Sequence, residues 1–233
     1  MNAPTPWIGT LARALEKTRG PFAPDEVHEL RVALGRLAVW VSLSGRRMLL
    51  DDLRWLRRSA AELRDLDVLL MNHGDESWTS GLVARRGIEE RSLVQHLESE
   101  RVRALHFALG TLPPLDLSVA REHLAALVRR VQRAARAVRH APEDDVVVHR
   151  WRRRVRKLRY ALELLGEPSE HVRALQDELG LLHDRIVALA HLVRMPGASV
   201  ETDLALRLEA EIAVHRARAS EVWRDVRDRL EQG

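Results

Sequence analysis

His149-Arg150-Trp151-Arg152-Arg153-Arg154-Val155-Arg156-Lys157-Leu158-Arg159-Tyr160 is the stretch from which the rest of the chain is read. A helix through it, turning roughly 100° per residue, sets Trp151, Val155, Leu158, Leu162 and Leu165 in one apolar stripe. His149, Arg152, Arg156 and Arg159 fall along a stripe on the other side. One face is built for packing and the other is a row of cations.

An earlier stretch, His28-Glu29-Leu30-Arg31-Val32-Ala33-Leu34-Gly35-Arg36-Leu37, repeats the pattern at a constant offset. His28 matches His149, Arg31 matches Arg152 and Arg36 matches Lys157, while Leu30, Leu34, Leu37 and Val41 reproduce the apolar stripe. A second pair of segments aligns Arg54 with Arg173, Leu56 with Leu175, Leu63 with Leu182 and Asp65 with Asp184. Internal repetition of this kind predicts a duplicated unit.

Working outward, apolar residues recur at helical spacing through eight segments separated by Gly, Pro and Asp breaks. The first is predicted from Trp7 to about Arg19, closed by Gly20-Pro21-Phe22-Ala23-Pro24, and the second from a cap at Asp25 to about Ser44-Gly45. The third runs from near Asp51-Asp52 through Leu70 and is stopped by Asn72-His73-Gly74-Asp75; the fourth runs from about Gly81 to Leu109. Gly110-Thr111-Leu112-Pro113-Pro114 is the clearest boundary, because adjacent prolines cannot continue a helix. Beyond it come Ser118 to His140, Val146 to Leu165, Ser169 to Arg194 and, after Met195-Pro196-Gly197, Val200 to Leu230. The expectation is an all-α fold of two similar four-helix bundle halves, about 1–110 and 115–233, related by an internal pseudo-twofold repeat.

With 233 residues, of which 45% are hydrophobic, the chain has ample material for a core. Charged residues make up 31%, the formal net charge is +4, and Lys17 and Lys157 are the lone lysines, so almost all positive charge is arginine. A GC-rich genome would also write arginine, but no other side chain is better shaped for bidentate phosphate contacts. Cysteine is absent, which excludes disulfide and thiolate-metal frameworks. Residues 1–30 lack the apolar run of a signal peptide and no stretch approaches a membrane span, so a cytoplasmic protein is expected.

Arginines at i, i+4 and i+7 repel one another by a few tenths of a kcal/mol per exposed pair unless something negative neutralises them. The neutralising groups are either internal, from Asp65, Asp67, Asp184 or Glu163, or external, as on a phosphate chain. His28 and His149 either cap and pack their helix starts or donate to an anion. Asp65 and Asp184 read as carboxylates that orient arginines rather than as metal ligands. His183-Asp184 has the form of the His-Asp pair in helical metal-dependent phosphohydrolases, but spacing places no further ligands around it. His28-Glu29 fails the zinc-peptidase pattern because Val32 stands where the second histidine is needed. Gly-rich phosphate loops, nucleophile elbows and paired catalytic carboxylates do not stand out, so neither catalytic residues nor a cofactor are expected.

Four blocks in order resemble the CHAD domain family, named for conserved histidines in an α-helical domain. They are Val27 through Leu37, then Leu53-Arg54-Trp55-Leu56 with Leu63-Arg64-Asp65-Leu66-Asp67-Val68, then His149 through Glu163, then Leu175-Gln176-Asp177-Glu178-Leu179-Gly180 with Asp184. The resemblance implies a helical fold enclosing a basic channel or cleft that binds inorganic polyphosphate without catalysis, in some members at polyphosphate granules. Carried onto this chain, the contacts would be His28, Arg31, Arg36, Arg54 and Arg64 in the first half. In the second they would be His149, Arg152, Arg153, Arg156, Lys157, Arg159 and Arg173, with Asp65, Asp184 and Tyr160 orienting. Two departures weaken the first half: Gly35 stands at the place of Arg156 and Ala38 at that of Arg159. His183 stands where the first half has Arg64, so the two halves are not strictly symmetric.

Three readings follow from the same charge: a polyphosphate-binding module, a metal-dependent phosphohydrolase using His183-Asp184 and Asp65, and a non-specific RNA binder. Base readout would want a recognition helix on the surface or aromatic stacking platforms, yet aromatic residues total 4% and the tryptophans mostly fall on apolar stripes, which leaves non-specific RNA binding as the nucleic-acid reading.

Overall fold

A computed structural model describes residues 4–17, 21–73, 79, 81–194 and 203–232. Ten α-helices and no strand occur among them: α1 Thr5–Glu16, α2 Pro24–Leu43, α3 Leu50–Ser59, α4 Ala61–His73, α5 Leu82–Leu97, α6 Glu100–Gly110, α7 Leu117–His140, α8 Asp145–Leu165, α9 Glu170–Arg194 and α10 Asp203–Gln232. No helix among the described residues is long and apolar enough to cross a membrane. Arg19, Gly20, Gly74, Asp75, Met195-Pro196-Gly197 and Val200, which the sequence reading used as helix ends and breaks, lie outside the described residues.

The predicted third and fourth helices are each two. α3 gives way to α4 at Ala60, where the Ser59 hydroxyl donates to the Leu56 carbonyl at 2.7 Å. α5 ends at Leu97 with Glu98 as its cap, and α6 restarts after the N-cap Ser99, whose Oγ accepts from the Val102 amide at 3.4 Å and donates to the His96 carbonyl at 2.6 Å. In both places a serine side chain competes with the helical ladder for backbone partners. Asp25 does not cap α2: the helix starts one residue earlier at Pro24, whose fixed φ suits a first helical position. Glu26 instead reaches back to accept from the Ala23 amide at 2.7 Å.

The chain forms two compact units, Met1–His123 and Leu124–Gly233. The Pro113-Pro114 break does separate α6 from α7, yet the first turns of α7 belong to the first unit, where Val119 and His123 abut Gly45 after α2. That unit therefore holds α1–α6 and the start of α7, rather than four helices. Its core is Leu11, the buried α2 stripe Leu30, Leu34, Leu37 and Val41, and Leu53, Leu56, Leu63 and Leu66 from α3 and α4.

The second unit contains the rest of α7 with α8, α9 and α10. Asp144 opens α8 by accepting from the Val146 and Val147 amides at 2.9 and 3.2 Å, and Gly166, at φ +73°, closes it. Trp151, Val155 and Leu158 are buried against Val131 and Ala134 of α7, Leu175 and Leu179 of α9, and Trp223 of α10. Trp151 meets Trp223 edge to face at 5.8 Å.

Candidate functional site

Anchoring of the α8 stripe fixes the helix rotation, and with it the direction of the cations. His149 and Arg152 of α8 meet His183 of α9 around a recess of about 250 Å³, also lined by Asp145, Val146, Val148, Leu179 and Ile186. The His149 and His183 rings lie 5.1 Å apart, tilted by 43°. Arg153 and Lys157 are exposed on the same helix, and Arg156 is half-buried.

Further along α8 the cations are held by the protein itself. Arg159 Nε sits 3.3 Å from Glu163 Oε1, and Arg173 Nη2 of α9 lies 3.5 Å from the same oxygen. The Arg159 guanidinium also lies 5.1 Å from the centroid of the buried Tyr160 ring, so Tyr160 acts here as packing and a cation-π platform. Glu163 is thus an internal counter-ion for two of the expected contacts. Because Arg173 is largely exposed, its ion pair is weak and open to exchange for a stronger anion.

The first unit gathers the matched residues. Arg64 of α4 donates to the Pro24 carbonyl at 3.4 Å, at the first turn of α2. It comes near enough to His28 to be, with Arg31, one of the charges the imidazole feels. The His28 side chain is accessible, but the protein packed around it, followed by the positive charge of Arg64 and Arg31, holds its pKa below the ordinary histidine value against Asp25 and Glu29. Arg31 and Arg57 form a reciprocal clamp between α2 and α3: Arg31 donates to the Arg57 carbonyl at 3.4 Å and Arg57 to the Arg31 carbonyl at 3.3 Å. Arg54 is exposed and paired with Asp51 at 2.9 Å, while Arg36 is half-buried on α2. Asp65 and Asp184 are half-buried and follow Arg64 and His183 directly in sequence.

Each unit therefore assembles one matched trio: His28, Arg31 and Arg64 in the first, His149, Arg152 and His183 in the second. Chemically, such a trio offers directed N–H donors and positive charge to oxygen anions. Among the described residues no group of three or more His, Asp or Glu is arranged to hold a metal ion.

Arg57 and Arg86 escaped the sequence reading. Arg86 of α5 donates to Asp67 at 2.7 Å and to the Phe22 carbonyl at 2.6 Å, and reaches Glu90 at 3.3 Å; Glu90 in turn accepts from the Phe22 amide. This network ties the segment leading into α2, and so the place of His28, to α4 and α5. Asp67 is among the internal carboxylates considered for the cationic row, and here its partner is Arg86.

A family model described as CHAD domain matches residues 8–193. The crystal structure of the CHAD domain from the plant Ricinus communis superposes with a TM-score of 0.63 at 21% identity, covering 94% of this chain and 84% of that one. No curated protein sequence matches.

Proposed function

The chain belongs to the CHAD domain family, and from that membership we propose that it is a non-catalytic binder of inorganic polyphosphate. The observation that carries the reading is the matched pair of trios, in which two stretches far apart in sequence bring His, Arg and a third cationic or imidazole group together. Each trio presents N–H donors and arginine charge that suit phosphate oxygens, and a polyanion that engages them relieves the repulsion among neighbouring arginines. The finer features belong to the same reading: the pseudo-twofold repeat, a basic channel or cleft, a cytoplasmic location and recruitment to polyphosphate granules. Arg31, Arg64, Arg152, Arg153, Arg156 and Lys157 supply bidentate or point-charge contacts to non-bridging oxygens, assisted by His28, His149 and Arg36. Arg54, Arg159 and Arg173 join by exchanging Asp51 or Glu163 for phosphate. Asp65 and Asp184 orient the cations beside them.

Titration with orthophosphate and a long polyphosphate at several salt concentrations tests the reading. Linked phosphates act at high effective concentration and release counter-ions, so the polymer should bind far more tightly, with affinity falling steeply as salt rises. Orthophosphate competing as well as the polymer would overturn it. Phosphate release on incubation with divalent metals would instead favour the hydrolase.

A proton-linked effect follows from His28. Its depressed pKa leaves it neutral near pH 7, and a phosphate placed beside it raises that pKa again. Binding should therefore take up protons and strengthen as pH falls toward the ordinary histidine range. Calorimetric titrations in two buffers of different ionisation enthalpy measure the uptake, and His28→Gln should reduce it.

A further inference from the structure

The part of α7 that lies in the second unit carries Arg129, Arg130, Arg133, Arg136 and Arg139 and no acidic residue. Val131, Ala134, Ala135 and Val138 are buried in the core, which turns these arginines outward; all five are exposed. From α8, Arg154 crosses to this helix and donates to the Arg130 carbonyl at 3.1 Å. Arg150 stands one turn before Arg154, and Arg133 one turn after Arg130, so four guanidinium groups gather on the α7–α8 face. They are close enough to act on one another: burial, then the charges of Arg150, Arg133 and Arg130, lower the pKa of Arg154. Among the described residues the interactions of these four are the Arg154 contact with the Arg130 carbonyl and their mutual repulsion, with no ion pair to a carboxylate.

None of these residues belongs to the His149, Arg152 and His183 recess. At 100° per residue Arg150 and Arg154 lie about a quarter to two-fifths of a turn around α8 from His149, with exposed Arg153 and Lys157 in between. A flexible anionic chain leaving the recess meets Arg153 and Lys157 before it reaches Arg150 and Arg154. We propose that Arg130, Arg133, Arg150 and Arg154 form a second anion-binding face for a linear polyphosphate whose other segment occupies the recess. This face makes long chains bind more tightly than short ones. The inference rests on the polyphosphate reading above.

Arg152 of the recess lies nearly opposite Arg150 and Arg154 around α8, and a helix with its side chains is about 10–12 Å across, too wide for tripolyphosphate to bridge from Arg152 to the second face. The test compares tripolyphosphate and a long, size-defined polyphosphate on the full chain, with circular dichroism confirming helicity. The variant is Arg130→Ala/Arg133→Ala/Arg150→Ala, which leaves Arg154 and its backbone contact in place. Unchanged tripolyphosphate binding, at least a roughly tenfold loss for the long chain and a shallower salt dependence are expected. Long-chain affinity and salt dependence equal to wild type would overturn the second face and leave the polyphosphate reading intact. Equal losses for both ligands would overturn it too, by making the patch part of one site. Loss of binding to an RNA homopolymer with polyphosphate binding unchanged would overturn it by reassigning the face to nucleic acid. Failure of the wild type to bind either polyphosphate overturns the underlying reading instead.

Discussion

Replacing Arg86 by alanine should destabilise the first unit by about 3–5 kcal/mol, the range for removing one partner of a buried ion pair. The Asp67 side chain is fully buried and Arg86 is 18% exposed, so water cannot take the place of the lost guanidinium. The same substitution frees the Phe22 carbonyl and leaves Glu90 without its i, i−4 partner. Burial already lifts the Asp67 carboxyl above its ordinary pKa, with Arg86 opposing the rise. Without Arg86 the pKa climbs further. A carboxyl whose folded pKa exceeds its unfolded value contributes stability at low pH and loses it as pH rises through the folded value. The deficit of Arg86→Ala should accordingly be large at neutral pH and shrink on acidification. Asp67→Asn should recover part of it, because an amide needs no counter-charge. Chemical denaturation of the single and double variants across pH measures both effects, and a pH-independent deficit would show that packing rather than charge is lost.

The helical class and the orientation of α8 were legible because both depend on local periodicity. Trp151, Val155 and Leu158 recur at a spacing that a helix alone can bury, and Asp144 and Gly166 mark its ends with residues whose backbone chemistry has few other uses. The breaks at Ala60 and Ser99 were hidden by the same periodicity. Leu56, Ala60 and Leu63 continue the buried stripe across the first, and Leu97, Val102 and Leu105 resume it across the second. A serine hydroxyl competing for one carbonyl is a small effect that hydrophobic spacing does not record. Tertiary partners were the least readable. Nothing in the spacing of Phe22, Asp67, Arg86 and Glu90 announces that they meet, and Glu163 was one of several carboxylates within reach of the cationic row. The trios lie between these extremes: repetition marks His28, Arg31, His149 and Arg152, while in the sequence His183 is an asymmetry and half of a His-Asp pair, and the recess gives it His149 and Arg152 as neighbours. Repetition reports that a residue recurs, and packing decides what it faces.

Arg152→Ala/Arg156→Ala should lower affinity for long polyphosphate on the order of 10²-fold. Each arginine is half-buried on α8, and Arg152 lines the recess with His149 and His183. A charge-assisted hydrogen bond contributes about 1.5–3 kcal/mol, and roughly 1.4 kcal/mol is tenfold in affinity. The salt dependence should flatten by about one to two phosphate contacts. Net charge falls by two in this variant, so the control must fall by two as well. Arg103→Ala/Arg227→Ala does so away from α8, removing the exposed Arg103, which pairs with Glu100, and the half-buried Arg227, which pairs with Asp228. General electrostatic attraction would weaken both variants alike; a directed site would weaken the first far more. Arg152→Lys/Arg156→Lys separates charge from geometry, since lysine keeps the positive charge but cannot offer two parallel N–H bonds to one phosphate. Salt dependence near wild type with reduced affinity is expected for the lysine pair. Wild-type affinity in the alanine pair, with helicity intact, would remove the α8 face from the binding surface and with it the central support for the polyphosphate reading.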